Sequence, residues 1–225
     1  MVDVYSKGLK MRINNCFYSI QGEGINWGIP MNFVRLQGCN VKCRWCDTKE
    51  SWDPYGGTEM SVEEIMAKSV ISKSKPRSVN WFCITGGEPL MQMGEVESLV
   101  KAIKWGNVFR FEICTNGTLA PPSWFSTVDS WSVDYKCPSS GVESVAIGSW
   151  ISKLRVQDQI KFVVKDQDDL DFVDRALGLH YIPSSVIVSP VFPMISLRFT
   201  SEVVEFVKSR NLRLSIQNHK IIGVK

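Results

Sequence analysis

Three cysteines lie within eight residues of one another, at Cys39, Cys43 and Cys46, with the spacing Cys-x3-Cys-x2-Cys. Thiolates this close in the chain can converge on one centre if the loop that carries them wraps around it. A structural zinc site uses four nitrogen or sulfur ligands, whereas a cubane iron–sulfur cluster can be held by three cysteines with one iron open to an external ligand. The spacing therefore favours a metal ion or a cluster over a disulfide bond.

The other four cysteines, Cys16, Cys83, Cys114 and Cys137, are scattered along the chain. Cys83 and Cys114 lie in apolar, strand-like runs, where a free cysteine usually behaves as a small buried hydrophobe. Seven cysteines and no recognisable signal peptide predict a reducing, cytoplasmic location rather than a disulfide scaffold.

The composition is that of a globular protein with one core. The chain has 225 residues, of which 44% are hydrophobic, and a formal net charge of +3. We expect a single domain over residues 1–225, because no linker or low-complexity stretch divides it. The longest apolar runs have strand length, well below the ~20 residues of a membrane helix. The mild charge, in no long block, neither requires nor excludes an anionic partner. We expect neither a membrane nor a nucleic-acid partner.

Strand-like and helix-like segments alternate along the chain. Strands are predicted at residues 15–20, 31–36, 80–84, 109–114, 131–135, 160–164, 186–188 and 212–216. Helices are predicted around residues 62–70, 96–103, 170–177 and 203–207, the first with a capping box of Ser61 and Glu64. This alternation indicates an α/β fold with a parallel sheet and crossover helices. Because a complete eight-unit barrel needs about 250 residues, we expect a truncated βα barrel of about six units.

The residues that could do chemistry follow the ends of these strands, where βα folds bind their ligands. They are Cys39, Cys43 and Cys46 after the first core strand, Gly86, Gly87 and Glu88 after the second, Thr115, Asn116 and Gly117 after the third, Asp134 and Lys136 after the fourth, Ser189 after the sixth and His219 after the last. Arg35 lies inside an apolar strand, where a guanidinium needs a polar partner.

Two glycine-containing turns allow close approach to the backbone, at Gln21-Gly-Glu-Gly24 and at Thr85-Gly-Gly-Glu-Pro89. Glu88 could also accept a hydrogen bond from a cationic amine. Each turn could equally be an ordinary tight turn, and the residues alone leave both interpretations open. The position of the second turn downstream of the cysteine loop favours a ligand there.

The cysteine spacing followed by Gly-Gly-Glu-Pro resembles the radical S-adenosylmethionine (SAM) superfamily. The resemblance implies a 4Fe–4S cluster on the three cysteines and SAM on the open iron. It also implies that the βα barrel is of the radical SAM type. Within the superfamily, four segments make the chain similar to the 7-carboxy-7-deazaguanine synthase family: Tyr18-Ser-Ile-Gln-Gly-Glu-Gly, Phe33-Val-Arg-Leu-Gln-Gly-Cys-Asn, Cys46-Asp-Thr and Gln217-Asn-His-Lys.

This family resemblance implies the reaction. The expected activity is the ring contraction of 6-carboxy-5,6,7,8-tetrahydropterin to 7-carboxy-7-deazaguanine with loss of ammonia, on the route to queuosine and related deazapurines. An external one-electron donor of the flavodoxin or ferredoxin type would start it, SAM would act as a regenerated cofactor, and Mg2+ would assist. The resemblance also implies a homodimer.

Site residues are carried over by the same resemblance. The cluster loop is 39–46, and a carboxy-terminal segment, 217–225, is expected to close over the substrate. The expected substrate-binding residues are Ile20, Gln21, Gly22, Glu23, Arg35, Thr85, His219 and Lys225. The expected SAM-binding residues are Trp45, Cys46, Asp47, Gly87, Glu88, Asp134, Tyr135, Lys136, Ser189, Pro190, Val191 and Phe192. Thr48 is the expected Mg2+ ligand, since magnesium keeps water and substrate oxygens beside a single protein ligand.

Two other hypotheses remain at this stage. A radical SAM activase that abstracts hydrogen from a glycine of a partner protein would share the cysteine and Gly-Gly-Glu-Pro motifs. A non-catalytic zinc or nucleic-acid module would need a fourth ligand near the three cysteines or a basic aromatic face. The sequence offers neither plainly.

Overall fold

The computed structural model describes residues 10–70, 79–104, 109–193 and 196–224. In these residues the strands form one sheet. They are β1 (Lys10–Ile20), β2 (Pro30–Leu36), β3 (Thr58–Ser61), β4 (Trp81–Gly86), β5 (Arg110–Thr115), β6 (Ser130–Asp134), β7 (Gln159–Val164), β8 (Ser185–Pro190) and β9 (Arg213–Leu214). The helices are α1 (Val62–Val70), α2 (Met93–Ile103), α3 (Ile147–Ile151), α4 (Gln167–Leu179), α5 (Leu197–Ser209) and α6 (Asn218–Ile222).

The strand order is β3-β1-β2-β4-β5-β6-β7-β8-β9, with β3 and β9 at the two edges. From β2 to β9 all neighbours are parallel, which confirms the predicted parallel sheet. The antiparallel pairs of β1 with β2 and β3 were not predicted. Residues 21–29 connect β1 to β2, and this connection is shorter than the dozen or so residues that a parallel crossover needs.

The start of α1 and the buried face of α2 form as the sequence predicts. The Ser61 backbone N–H donates to Glu64 Oε2 at 2.7 Å, and the Glu64 N–H donates to Ser61 Oγ at 3.3 Å, which confirms the capping box. On α2, the residues at positions i, i+3, i+4 and i+7 are all buried against the sheet: Val96, Leu99, Val100 and Ile103. Among the described residues, no helix has the length and apolar character that crossing a membrane requires.

The two faces of the sheet have different roles. On β2, Val34 and Leu36 belong to the main hydrophobic core, whereas Phe33 and Arg35 on the other face line a cavity. This division follows from the two-residue period of a strand. The main core also contains Trp131 and further buried aromatic side chains. Helices α1 to α5 therefore cover one face, and the other face is left for the site.

Two segments differ from the sequence expectation. The last predicted strand, 212–216, contains only the two strand residues of β9, and the chain then turns into the short helix α6. Residues 139–156, for which no element was predicted, contain α3. Its Trp150 is fully buried and donates from Nε1 to the Leu119 carbonyl oxygen at 2.7 Å. This segment is therefore part of the core rather than an appended loop.

Candidate active site

A cavity of about 470 Å3 lies on the open face of the sheet, at the carboxyl ends of the parallel strands. Its walls come from three separated parts of the chain: the loop between β1 and β2, the cysteine loop after β2, and the carboxy-terminal segment around α6. Carboxyl ends of parallel strands meet at one edge of a sheet, which explains why residues so far apart in sequence face the same space.

The three cysteines of the loop all line this cavity. The loop is closed at its base, because the Gly38 N–H donates to the Ser51 carbonyl at 2.8 Å and the Cys39 N–H to the Trp52 carbonyl at 3.3 Å. Burial raises the pKa of the Cys39 and Cys43 thiols, and the other thiols of the loop raise it further. Removal of these protons thus needs a strongly positive partner.

The donor set fits a cluster better than a single ion. In the described part of the chain, just one group of three or more potential ligands has all its ligand atoms within 4.8 Å of one another, and it is not the Cys39, Cys43 and Cys46 set. A single tetrahedral zinc with bonds of about 2.3 Å would hold its sulfur ligands about 3.8 Å apart. The three thiols of the cysteine loop do not all lie within this spacing, and three ligands are one fewer than a structural zinc uses.

The glycine turn after β4 packs directly on the base of the cysteine loop. A Cβ on Gly87 would lie 2.2 Å from the Gly38 carbonyl oxygen, and one on Gly86 would lie 2.4 Å from that of Leu36. Gly86 also has a φ of +145°, a backbone conformation that residues with a side chain rarely adopt. The Glu88 N–H then donates to the Gly38 carbonyl oxygen at 2.9 Å. These glycines are therefore required by backbone packing, whatever ligand contacts they also make.

Glu88 is fully buried and does not line the cavity. Its carboxylate accepts hydrogen bonds from the Leu90 N–H at 2.9 Å, the Thr115 hydroxyl at 2.8 Å and the Asn116 N–H at 2.6 Å. Burial raises its pKa, although these three donors favour the charged form. The side chain thus joins the ends of β4 and β5. The sequence had suggested a cationic amine as its partner.

The predicted substrate residues come together. Ile20, Gln21, Gly22, Glu23, Arg35, Thr85 and His219 all line the cavity, while Lys225 lies outside the described residues. The Arg35 guanidinium lies 5.6 Å from the ring centroid of Phe17, which holds it over the open face of the sheet. A Cβ on Gly22 would lie 2.4 Å from His219 Nδ1, so the small residue there lets the carboxy-terminal segment approach.

The carboxy-terminal segment is tied to both other walls. The Asn218 N–H donates to the Gly22 carbonyl at 3.1 Å, and the Gln217 side-chain amide donates to Glu23 Oε1 at 2.9 Å. Lys220 Nζ lies 2.6 Å from Asp47 Oδ2 on the cysteine loop. Burial lowers the pKa of His219, which lies 4.0 Å from Glu23. The segment thus forms one wall of the cavity up to Val224, the last described residue, and its closure over a substrate stays a prediction.

A buried charge network spans the cavity floor and contains a residue that sequence reasoning missed. Lys161 Nζ lies 2.7 Å from Glu23 Oε2 and 3.3 Å from Asp134 Oδ1, and Lys136 Nζ lies 2.6 Å from Asp134 Oδ2. Burial alone would raise the pKa of both carboxyls, but the lysines outweigh it and lower both. The two carboxylates hold the pKa of Lys161 well above its usual value despite burial.

A signal for Lys161 was present in the sequence. It is a cationic residue inside the apolar run Ile160–Val164, as Arg35 is within its own strand, and the same argument would have assigned it a buried partner. Lys220, Gln217, Cys83 and Cys114 are further cavity-lining residues without a predicted role.

The predicted SAM residues divide into two groups. Those that line the cavity are Trp45, Cys46, Asp47, Gly87, Asp134, Lys136, Val191 and Phe192. Glu88, Tyr135, Ser189 and Pro190 do not. Tyr135 directly follows β6, and its ring packs against Phe162 and Phe172 at the core. Ser189 is buried with a hydroxyl that has no hydrogen-bond partner among the described residues.

Thr48 also lines the cavity, beside the cysteine loop. Its hydroxyl donates to Asp47 Oδ1 at 2.9 Å. The pKa of Asp47 is lowered to about 2, because Lys220 and the Thr48 hydroxyl outweigh the effect of burial. A hydroxyl and an ionised carboxylate side by side are oxygen donors of the kind that Mg2+ accepts, so the donor chemistry fits the ion that the sequence predicts at Thr48.

Comparisons with known proteins identify the family. A family model described as a 4Fe-4S single cluster domain matches residues 20–120. The 7-carboxy-7-deazaguanine synthase of Methanospirillum hungatei JF-1 is 38% identical over 217 residues, which cover 95% of this chain and 86% of the relative. That of Thermoplasma acidophilum is 35% identical over 213 residues, covering 94% and 97%. The crystal structure of QueE from Escherichia coli superposes with a TM-score of 0.74 at 26% identity, covering 96% and 97% of the two chains.

These matches decide among the sequence hypotheses. The cluster-domain match includes the cysteine loop and confirms the predicted 4Fe–4S cluster. Two relatives that are both 7-carboxy-7-deazaguanine synthases match almost the whole chain. These matches argue against an activase and against a zinc or nucleic-acid module. The predicted relationship is confirmed: the chain belongs to the 7-carboxy-7-deazaguanine synthase family.

Proposed function

We propose that the protein converts 6-carboxy-5,6,7,8-tetrahydropterin to 7-carboxy-7-deazaguanine with loss of ammonia, as a radical SAM enzyme of deazapurine biosynthesis. One observation carries this proposal: the three-cysteine loop and a separate set of polar residues suited to a pterin carboxylate line the same cavity of about 470 Å3. A small heterocycle and SAM could meet there with their reacting atoms close together.

On the substrate side, we assign the pterin carboxylate to Arg35, because a guanidinium forms paired charge-assisted hydrogen bonds with a carboxylate. Gln21 and Glu23 would hold the polar edges of the ring, and Thr85 and His219 would complete the enclosure. Glu23 is kept ionised by Lys161 and Gln217, so it can act only as a hydrogen-bond acceptor at neutral pH. The closed carboxy-terminal segment would exclude water from the reaction.

On the SAM side, we assign the cofactor to the wall formed by Trp45, Asp47, Gly87, Asp134, Lys136, Val191 and Phe192. The 4Fe–4S cluster, when bound by Cys39, Cys43 and Cys46, supplies the electron that cleaves SAM and so starts the radical chemistry. Lys136 lies 5.8 Å from the ring centroid of Trp45, and the Trp45 Nε1–H donates to Ser139 Oγ at 3.2 Å. These contacts support our assignment of the indole as the surface that would bind the adenine.

Three finer assignments accompany this function. Thr48, with Asp47 beside it, would hold Mg2+ and orient the substrate. The open sheet that ends at β9 would correspond to a truncated radical SAM barrel of a single domain. The protein would act in the cytoplasm as a homodimer, with an external flavodoxin- or ferredoxin-type donor as the source of the electron.

The function is tested by an anaerobic assay of the iron-reconstituted protein with SAM, a low-potential reductant and the pterin, with and without Mg2+. Mass spectrometry is expected to detect 7-carboxy-7-deazaguanine, with more product in the presence of Mg2+ and none from Cys43→Ala. Cys16→Ser, outside the cavity, serves as the matched control and should keep the activity. Cleavage of SAM without this product would overturn the substrate assignment, and the absence of both iron and cleavage would overturn the proposal.

A further inference from the structure

A second group of metal-binding side chains lies on the cavity face of the sheet, away from the cysteine loop. In the register of the two neighbouring strands, Cys83 of β4 lies opposite Glu112 of β5. Cys114 follows Glu112 by two residues, and the two-residue period of a strand puts both on the same face. Strand pairing thus brings two sulfurs and one carboxylate together, although Cys83 and Cys114 are 31 positions apart in the chain.

The distances among these three side chains match a single metal ion. The Cys83 and Cys114 sulfurs lie 3.8 Å apart, and a carboxylate oxygen of Glu112 lies within 4.8 Å of both. A tetrahedral centre with metal–sulfur bonds of about 2.3 Å places two sulfur ligands about 3.8 Å apart. It is the only group of three or more His, Cys, Asp or Glu side chains in the described ranges that meets this spacing.

The site is enclosed on one side and accessible on the other. Cys83 and Glu112 are almost fully buried, Cys114 is half-buried, and both cysteines line the cavity. The Gln21 side-chain amide lies against the group, with Nε2 3.7 Å from the Cys83 sulfur and within hydrogen-bond distance of Glu112 Oε2. A cation can therefore enter from the cavity and find a partly desolvated pocket.

Without a cation, Cys83 and Glu112 are disfavoured in their charged forms. The Cys114 thiol and burial together raise the pKa of Cys83 well above its usual value, and burial raises that of Glu112. A buried divalent cation offsets these effects because it neutralises the ligands that it binds. Binding would exchange the two thiol protons for the cation, with no change in oxidation state.

We propose that Cys83, Cys114 and Glu112 form a binding site for one borderline-soft divalent cation, Zn2+ or a close chemical relative, at the floor of the cavity. Two thiolates and one carboxylate are typical donors for zinc. Water from the cavity, which both cysteines line, would supply the fourth ligand. The site is separate from the cysteine loop and from Thr48.

A cation here has a consequence that rests on the proposed function. It would hold the carboxylate and thiolates next to Gln21, one of the residues assigned to the pterin, and would occupy space that the substrate needs. Zinc should therefore inhibit turnover in competition with the pterin.

The site is tested in the cluster-loaded full-length protein, incubated anaerobically with a thiol reductant and Zn2+ and then dialysed. Metal analysis is expected to find one zinc per chain beside four irons, and zinc-edge X-ray absorption should show two sulfurs near 2.3 Å and oxygen or nitrogen near 2.0 Å. Cys83→Ser and Cys114→Ser should each lower the zinc content at least tenfold. Cys16→Ser, the matched control outside the cavity, should retain it.

The competing outcomes overturn the site. Zinc retained by both Cys83→Ser and Cys114→Ser would place the ion on other ligands, and a shell of three sulfurs would place it on the cysteine loop. If the reduced protein takes up no zinc, the proposed site is wrong and Cys83 and Cys114 are only a pair of neighbouring thiols. Mass spectrometry would then show whether these two thiols oxidise to a disulfide. Because zinc content is measured without turnover, a failure of the proposed activity leaves this result intact. Inhibition by zinc is measured separately. If zinc binds but does not inhibit turnover, the proposed competition with the pterin is wrong and the binding site stands.

Discussion

Lys220 Nζ lies 2.6 Å from Asp47 Oδ2, and this ion pair joins the carboxy-terminal segment to the cysteine loop. The two residues are 173 positions apart in the sequence, so only the folded chain brings them together. The same lysine donates to Gln217 Oε1 at 2.8 Å, within its own segment. Lys220 thus holds the short helix α6 to the cysteine loop, whereas Gln217 and Asn218 hold the segment to the loop between β1 and β2.

Replacing Lys220 by alanine should loosen this attachment. A partly exposed ion pair contributes about 0.2–1 kcal/mol, so we expect the KM for the pterin to rise about two- to fivefold with a smaller change in kcat. Steady-state kinetics of the reconstituted enzyme measure this. Lys208→Ala, which removes an exposed pair with Glu205 on α5, is the control and should leave KM unchanged. Equal effects of the two variants would contradict a closing role.

Replacing Lys161 by methionine should destabilise the protein strongly. The variant leaves Glu23 and Asp134 without this buried ammonium, and removal of one member of a buried ion pair costs about 3–5 kcal/mol. Anaerobic denaturant unfolding measures the loss. Lys101→Met removes an exposed i,i+4 pair with Glu97 and should change the free energy of unfolding by less than about 0.5 kcal/mol. If Lys161→Met lowers the free energy of unfolding by no more than this control does, the charge network is solvated rather than buried.

The Gly87→Ala substitution should impair assembly of the cluster site. The added Cβ would lie 2.2 Å from the Gly38 carbonyl oxygen, so the turn and the base of the cysteine loop must move apart. We expect a loss of about 1–3 kcal/mol in stability and a lower iron content after reconstitution. Gly94→Ala, on α2 with no atom near its Cβ position, should instead stabilise by about 0.5–1 kcal/mol. Normal iron content in Gly87→Ala would contradict this account.

The stability of the protein should depend on pH through His219. Burial lowers its pKa in the folded protein below the unfolded value, so the folded state resists protonation. Its contribution to stability is present above the unfolded pKa of about 6.5 and is lost as the pH falls through the folded pKa. Between pH 7 and pH 5 the free energy of unfolding should therefore decrease more in the wild-type protein than in His219→Gln. Parallel curves for the two proteins would exclude this effect.

The local patterns of the sequence predicted the features that depend on neighbouring residues. The spacing of Cys39, Cys43 and Cys46 indicated a metal centre because the ligands lie on one loop. The apolar positions of α2 and the Ser61–Glu64 capping box depend on contacts three to seven residues apart, and all were confirmed. The Gln21-Gly-Glu-Gly24 and Thr85-Gly-Gly-Glu-Pro89 turns were located correctly beside the cavity, although ordinary turns remained an alternative.

The tertiary structure alone decided which distant residues meet. The pairing of Lys161 with Glu23, of Lys220 with Asp47, and of Cys83 with Cys114 and Glu112 depends on strand order, register and the return of the carboxy-terminal segment. A strand's own sequence shows which of its residues share a face, but it does not show which strand is adjacent or how the two are aligned. That information arises from packing the whole sheet, because register and neighbour choice are set by the sum of side-chain contacts across its two faces.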